Sequence, residues 1–272
     1  MTLASTHEHP RLANIRLHPI KSLDPVHVSE ARIGPAGGLE LDRAWALYTP
    51  DNRWVNGKRT SAIFPIRAEF TPDLKSVTLS VPGDGRQIPP REFPFPAANE
   101  EAAEWFSVYF EQRIIVRSSV NGFPDDPDAH GPTVISTASL QKVCDWFADA
   151  GIDLDEARRR FRTTLEIDCV PAFWEDRLFG PANTYAPRFR IGEIEFEGSN
   201  PCARCNVPPR DSYNAENSIG FQKRFIESRR ESLPSWATLD RFDHFYRLAT
   251  NTRVALSQTG KTLRVGDPLV LA

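Results

Sequence analysis

The first half of the chain carries short apolar runs separated by turn-forming residues. Between Ile15 and Val120 these runs include IRLHPI, VHVSEARI, AWALY, RWV and SVTLSV. Because strands are short and usually end at Pro, Gly, Asn or Asp, the spacing predicts consecutive β-strands. The segment TPDNR between AWALY and RWV predicts a hairpin turn, since Pro and Asp favour turn positions and Asn tolerates unusual backbone angles. One helix is predicted here, from about Glu101 to Phe110.

The second half begins with a polar, Pro-rich segment at residues 121–132, which predicts a connection between two units. Four apolar residues then follow the i, i+3, i+4, i+7 spacing of one helical face: Leu140, Val143, Cys144 and Phe147. This face predicts a helix over about 139–149, with Ser139 as its N-cap and Gly151 at its end.

Further strands are predicted in TTLEIDCV and in RFRIGEIEFEG, which leads to a pair of cysteines. The VPP that follows the second cysteine disfavours a helix there, so Cys205 is expected on a loop. A helix at about 218–231 and closing strands in TRVALS and LRVGDPLVL complete the pattern. The whole predicts a mixed α+β, predominantly β fold, with one unit at residues 11–120 and another at residues 121–272.

The chain of 272 residues has 33 basic and 36 acidic side chains and a formal net charge of -3. No overall field would draw it to nucleic acid or anionic lipid, so neither is an expected partner and any anion site must be local. No membrane-spanning apolar stretch and no signal-peptide core is found, which predicts a cytoplasmic protein without membrane contact. Its four cysteines are expected to be reduced thiols.

The run PCARC places Cys202 and Cys205 in a CxxC spacing that admits four interpretations. A structural zinc site needs four ligands, and the other two cysteines stand alone. A thioredoxin-like dithiol normally opens a helix, which the following prolines disfavour. A single thiolate ligand to a soft metal centre needs an accessible sulfur beside positive charge, which Arg204 and Arg210 could supply. Plain packing of two small residues at a strand end is the fourth.

Three basic residues lie within or beside strand-like runs: Lys21 in HPIKS, Arg43 in LDRAW and Arg162 in RRFRTTLEI. Taken singly, each is typical of a solvated surface charge. Guanidinium forks, hydroxyls and helix N-terminal amides together bind a phosphate or another polyoxygen anion. The hydroxyl and amide groups could come from the start of the predicted helix, at Ser136, Thr137 and Ser139.

The order of these motifs resembles that of a MOSC family protein over nearly the whole chain. The resemblance is carried by HPIKSL, GGLELDRAWALYTPDNRWV, STASL, RRFRTTLEID, PCARC and LRVGDPLVL. It implies a MOSC N-terminal β-barrel-like domain packed on a MOSC β-barrel with peripheral helices. The relatives that the chain is similar to include the mitochondrial amidoxime-reducing component and its bacterial counterparts.

The resemblance also implies roles for individual residues. Cys205 would ligate the metal of a molybdenum cofactor (molybdopterin with Mo) and act in catalysis, and Cys202 would be structural. The pterin and phosphate would be held by Lys21, Ser22, Arg43 and Arg162. Asp128 and His130 fall where relatives present further polar contacts, and Thr164 stands where many relatives carry a longer amide. The segment 211–220 also departs from the relatives, so the rim of the substrate pocket is expected to differ.

The implied activity is that of a molybdenum-dependent oxidoreductase that reduces N-hydroxylated or N-oxide-type small molecules. The sequence contains no ferredoxin, GxGxxG or haem-attachment motif, so an external electron-transfer reductase is the expected partner. Two alternatives stay open. One is a carrier or binding module for the cofactor or its sulfur, without turnover of its own, and the other is a zinc-stapled structural protein.

Overall fold

The computed structural model describes residues 9–83, 85, 88–97, 100–126, 128–182 and 186–272. The strands of the first half are β1 (Arg11–Leu17), β2 (Val26–Val28), β3 (Glu30–Arg32), β4 (Trp45–Tyr48), β5 (Trp54–Val55), β6 (Arg67–Phe70), β7 (Ser76–Ser80), β8 (Arg91–Pro94) and β9 (Ile115–Ser118). Those of the second half are β10 (Val134–Ser136), β11 (Leu165–Asp168), β12 (Arg188–Ile191), β13 (Ile194–Ala203), β14 (Arg247–Arg253), β15 (Thr262–Arg264) and β16 (Leu269–Leu271). The α-helices are α1 (Glu100–Phe110), α2 (Thr137–Trp146), α3 (Leu154–Phe161) and α4 (Phe221–Glu231).

The largest sheet joins strands from both ends of the chain. Its eight strands follow the order β16-β12-β13-β14-β10-β11-β1-β2. In this sheet β1 pairs antiparallel with β11 and with β2, whereas β10 runs parallel to β11. A two-stranded sheet of β3 and β15 adds a second link between the ends. The predicted unit of residues 11–120 therefore shares both sheets with the remainder of the chain.

Two three-stranded sheets are built from the first half alone, in the orders β5-β4-β9 and β6-β7-β8. The predicted hairpin at TPDNR is confirmed, because β4 and β5 pair antiparallel with Tyr48 opposite Trp54. Asn52 in this turn has a φ of 64°, a left-handed conformation that Asn tolerates. The strand-rich, mixed class predicted from the sequence is confirmed. Closure of the sheets into barrels stays a prediction.

Three apolar clusters form the core of the described chain. The first lies among the strands of the first half and includes the buried Trp45 and Phe93. The second covers the large sheet and joins Ile15 of β1 to Phe196 of β13. The third packs α2, α3 and α4 together around Phe225. Within the described residues, no helix is long and apolar enough to cross a membrane.

The helix predicted over 139–149 begins two residues earlier, at Thr137. Its N-cap is Ser136, not Ser139, so that part of the prediction was wrong. Ser136 has an extended backbone, and its side chain accepts a hydrogen bond from the backbone N–H of Ser139, which is the geometry that an N-cap requires. The predicted end was also wrong: α2 ends at Trp146, with Phe147 as its C-cap, and the left-handed Gly151 instead ends the short 3-10 helix that follows, Ala148–Ala150.

Several element boundaries also differ from the prediction. Helix α3 was missed, because its sequence LDEARRRF is largely charged and its buried positions include only two apolar side chains, Ala157 and Phe161. Strand β13 extends through Cys202, where the sequence predicted the strand to have ended. Strand β14 begins at Arg247, well before TRVALS, because pairing with β13 and β10 extends it backwards.

A buried acidic pair connects α2 and α4 to the large sheet. Glu175 accepts hydrogen bonds at Oε2 from the Ser139 hydroxyl at 2.9 Å and from the backbone N–H of Ser136 at 3.3 Å. The neighbouring Asp176 forms an ion pair with Arg229 of α4. Burial, together with the charge of Asp176, raises the pKa of Glu175 to about 7. This carboxyl group therefore titrates near neutral pH.

The titration of Glu175 should make its contribution to stability depend on pH. Its pKa is about 7 in the folded chain against an ordinary value of 4.5. The penalty for burying the ionised form is absent below the unfolded pKa, grows as pH rises between the two values, and reaches roughly 3 kcal/mol above the folded pKa. We expect Glu175→Gln to remove this loss. Urea unfolding of parent and variant at about pH 5 and about pH 8 measures how the free energy of unfolding changes with pH. The same change in both proteins would contradict the raised pKa of Glu175.

Candidate functional site

A cavity of about 380 Å³ lies where segments from both halves of the chain meet. Its walls come from the loops after β1 and before β4, from residues 124–126, 129 and 131, from the end of α3, and from the end of β13 and the loop after it. Nine Lys or Arg residues line it, against three carboxylates, those of Asp24, Asp125 and Asp126. The volume is typical of a small-molecule site, and the excess positive charge favours an anionic ligand.

Five of the residues predicted to hold the metal or the cofactor line this cavity: Lys21, Ser22, Arg43, Arg162 and Cys205. Lys21 and Ser22 follow β1, and Arg43 lies just before β4. Arg162 is the C-cap of α3, and Cys205 lies in the loop after β13. Four separate segments therefore meet at one site.

Three of these residues have a left-handed backbone. The φ angle is 76° at Ser22, 51° at Arg43 and 51° at Arg162. Residues other than Gly adopt this conformation at a cost of roughly 1–2 kcal/mol, and such residues concentrate at ligand sites. Hydrogen bonds hold two of them in place: the N–H of Arg43 donates to the His18 carbonyl at 2.9 Å, and that of Arg162 to the Arg158 carbonyl at 3.0 Å.

Asp125 is shared by three cations of the cavity. Its Oδ1 lies 3.1 Å from Lys21 Nζ and 2.9 Å from Lys58 Nζ. Its Oδ2 lies 4.0 Å from Arg43 Nε. Although burial opposes ionisation, these cations hold the pKa of Asp125 well below its usual range. This part of the cavity therefore stabilises negatively charged oxygen. We call Asp125 and its three cations the Asp125 group.

Arg162 and His18 lie deeper in the structure. Arg162 donates from Nη1 to the Leu23 carbonyl at 2.8 Å. Burial and the nearby Arg43 lower the pKa of Arg162 to about 10, so its guanidinium is still charged at neutral pH. Burial, Arg162 and Arg43 lower the pKa of His18 well below its ordinary value, and neither ring nitrogen has a hydrogen-bond partner among the described residues. His18 is therefore neutral, and the arginines carry the positive charge here.

The two cysteines of PCARC differ in their contacts. Both line the cavity, and both are free thiols. Cys202 lies in β13, where its sulfur accepts a hydrogen bond from Arg204 Nη1 at 3.1 Å, and it packs against the third core cluster. Cys205 is partly exposed, and no hydrogen bond to its sulfur is found in the described part of the chain. Cys205 is therefore the thiol more available to a ligand.

Three predicted contacts at the start of α2 lie outside the cavity lining. Ser136 and Ser139 are fully buried, and both bond to Glu175. Thr137 donates from Oγ1 to Glu166 Oε1 at 2.9 Å. Two carboxylates of the chain itself therefore occupy these donors, because β10 ends inside the core and α2 begins there. The geometry gives no support to their predicted role as cofactor contacts.

Three more predicted contacts lie close to the cavity without lining it. Asp128 and His130 are exposed, whereas Asp126 on the same segment lines the cavity. Thr164 is buried, and its Oγ1 has no hydrogen-bond partner. Its backbone N–H donates to Oγ1 of Thr133, a lining residue, at 3.1 Å. The sequence identified these segments but not the side chains that face the cavity.

Sequence reasoning missed much of the basic lining. Arg159 belongs to the run of three arginines just before Arg162, and that run was a usable signal. Arg67 stands singly in a strand, so only the tertiary structure reveals it. The sequence likewise has no pattern that distinguishes Asp24 and Asp125, which also line the cavity, from other loop residues.

Among the described residues, no group of three or more His, Cys, Asp or Glu side chains is placed to hold a metal ion. A structural zinc site takes four protein ligands, and the described residues offer no such set for the alternative of a structural zinc protein. A metal bound at Cys205 would need most of its ligands from a cofactor.

Fold and site together define a class: a strand-rich, mixed α and β protein with a cavity lined by cations and by a cysteine thiol. Residues 9–113 match the family model described as MOSC N-terminal beta barrel domain. This match supports a MOSC-family protein, a family generally associated with binding of the molybdenum cofactor. A comparison with curated proteins found no match. The resemblance to the amidoxime-reducing component stays a prediction.

Proposed function

We propose that the cavity holds a molybdenum–pterin cofactor through the thiolate of Cys205, and that the protein reduces N-hydroxylated or N-oxide-type small molecules. The observation that carries this proposal is the position of the Cys205 side chain, without a hydrogen bond in the described chain, in a cavity lined by nine cations. The match over residues 9–113 supplies the association with the cofactor.

The residues present fit the chemistry of this cofactor. A pterin phosphate binds to charge-assisted donors, which Lys21, Arg43 and Arg162 provide. Ser22 accepts at Oγ from the Gly57 N–H at 3.1 Å, which leaves its own O–H free to donate to a pterin acceptor. A pterin dithiolene brings sulfur ligands of its own, as a site with few protein ligands requires.

Each residue would have a distinct task. When bound, the cofactor supplies a metal that exchanges two electrons with the substrate. Cys205 would anchor that metal, Lys21, Arg43 and Arg162 would hold the phosphate, and Asp125 would balance part of the positive charge. Reducing R–NHOH to R–NH₂ and water consumes two electrons and two protons. The sequence carries no motif for a second redox centre, so we propose an external reductase as the electron donor.

The decisive experiment is metal analysis of the protein expressed with molybdate in a host that makes this cofactor. We expect roughly equimolar molybdenum and reduction of benzamidoxime by reduced benzyl viologen. Protein from a matched host unable to make the cofactor is the control and should show neither. Bound molybdenum that passes to an acceptor protein, without reduction of any substrate, would favour the carrier alternative. A cofactor-replete preparation without molybdenum would contradict the proposal.

Arg162→Ala should weaken retention of the cofactor, because each charge-assisted hydrogen bond that it removes contributes roughly 1.5–3 kcal/mol. The matched variant is Arg162→Gly, which removes the same guanidinium while accommodating the left-handed backbone at φ 51°. Both variants should lose molybdenum during dialysis faster than the parent. If Arg162→Gly retains the metal as the parent does, Arg162 does not bind the cofactor.

A further inference from the structure

Five of the nine described cations that line the cavity pair with one of two aspartates, three with Asp125 and two with Asp24. The second group centres on Asp24, whose Oδ1 lies 3.1 Å from Arg67 Nη1 and 2.9 Å from Arg159 Nη1. Both guanidinium groups also lie over the ring of Tyr213, with their Cζ atoms 4.8 and 5.1 Å from its centroid. Together with Arg210 these residues form what we call the Asp24 group.

Arg210 has hydrogen-bonding capacity that the chain does not use. It lines the cavity, and its guanidinium lies over the Phe64 ring at 5.8 Å from the centroid. Its Nη1 is buried without a hydrogen-bond partner, and its side chain forms no ion pair with any described residue. Arg67 contacts the same Phe64, donating to its carbonyl and to that of Ser212. The Nε of Arg67 is also buried and has no hydrogen-bond partner in the described part of the chain. Unsatisfied buried donors of this kind favour an acceptor from a ligand.

The Asp24 group is connected to the cysteine loop by an apolar surface. Phe64, Gly57 and Val207 meet there: a Cβ placed on Gly57 would lie 3.3 Å from Phe64 Cζ and 3.5 Å from Val207 Cγ2. Val207 follows Cys205 by two positions in the chain. This apolar surface therefore adjoins the Asp24 group through Phe64 and the cysteine loop through Val207.

We infer that the Asp24 group is a substrate subsite that binds a carboxylate, so that the substrates are N-hydroxylated compounds with a carboxylate on an apolar or aromatic body. This inference rests on the proposed function. Arg67 and Arg159 share Asp24 as an ion-pair partner, and Arg210 forms no ion pair with a described residue, so an unpaired guanidinium is left to attract a further anion. Planar guanidinium groups match the geometry of a carboxylate.

The test compares two probes that differ only in the carboxylate, benzamidoxime and 4-carboxybenzamidoxime. Calorimetric titration of the holoprotein should show the carboxylate probe binding at least about tenfold more tightly, as expected for a charge-assisted pair. Arg210→Met should abolish that preference, because it weakens binding of the carboxylate probe at least about tenfold more than binding of benzamidoxime, which lacks the group that the guanidinium would contact. Arg190→Met, at an exposed position of β12, is the matched control and should behave as the parent does.

The outcomes separate this inference from the proposed function. Turnover of both probes with equal affinity would overturn the carboxylate subsite and leave the oxidoreductase intact. A preference for the carboxylate that survives in Arg210→Met would also overturn it, since the anion would then bind elsewhere. If the protein carries no molybdenum, the proposed function fails, and loss of the preference in Arg210→Met then supports an anion site that serves another reaction.

Discussion

Cys205→Ser should yield a folded protein whose molybdenum content is at least about tenfold below that of the parent. Removing a residue that only hydrogen-bonds to a metal ligand already weakens metal binding by about that much, so removing the ligand itself should have at least the same effect. The serine oxygen is a poor substitute for a soft thiolate ligand. Folding should be preserved, because Cys205 lies on a loop, is partly exposed, and makes no hydrogen bond through its sulfur in the described structure. The molybdenum content and the rate of benzamidoxime reduction should decrease together.

Cys202→Ser is the matched control for this loss, three residues away in the same run. Its sulfur accepts from Arg204 and packs against the helical core, so serine should cost some stability there but leave most of the metal in place. A hydroxyl can also accept from Arg204, which makes the change mild. Equal loss of molybdenum from the two variants would contradict the assignment of Cys205 as the ligand.

Arg229→Met should lower the free energy of unfolding by about 3–5 kcal/mol, the largest effect on stability that we expect. Arg229 is 1% exposed and pairs with the buried Asp176. Its guanidinium also lies 4.1 Å from the ring centroid of Phe173 and 5.1 Å from that of Phe242. Without the arginine, burial leaves a carboxylate beside Glu175 with no counter-charge. Denaturant unfolding at neutral pH measures the effect.

Two further variants identify the cause of that loss. Arg230→Met alters the next residue of α4, which is exposed, and should change the free energy of unfolding by less than about 0.5 kcal/mol. The double variant Arg229→Met/Asp176→Leu removes both charges and should recover most of the stability, because a buried ion pair can be replaced by apolar residues of similar volume at little cost. No recovery would mean that the arginine acts through packing alone.

The elements that local sequence predicted well are those governed by local interactions. The turn at TPDNR depends on residues that favour it by themselves, and Asn52 indeed has a positive φ. Helix α1 lies within a residue of its predicted bounds, because its apolar face is regular. Helix α3 was missed for the opposite reason: Arg160 is buried in its core-facing row, where an ion pair with Glu156 compensates the charge.

The hydroxyls at the start of α2 show where local reasoning fails. A serine-rich helix start is a reasonable anion site by composition alone. Whether it meets a ligand depends on what the remainder of the chain places opposite. Here Glu175, more than thirty positions away in the chain, already accepts hydrogen bonds from the Ser139 hydroxyl and the Ser136 backbone N–H. No spacing within the helix could have indicated that contact.

By itself, the sequence determined that the chain is strand-rich, that Cys205 lies on a loop, and that Lys21, Arg43 and Arg162 stand beside apolar strands, because turn propensity and hydrophobic periodicity are local properties. Only the tertiary structure decided that these residues share one cavity, that Arg67 joins them, and that the Cys202 sulfur accepts a hydrogen bond from Arg204 while the Cys205 sulfur accepts none from the described chain. Charges attract or repel through space, so their effect at a site depends on how distant segments pack.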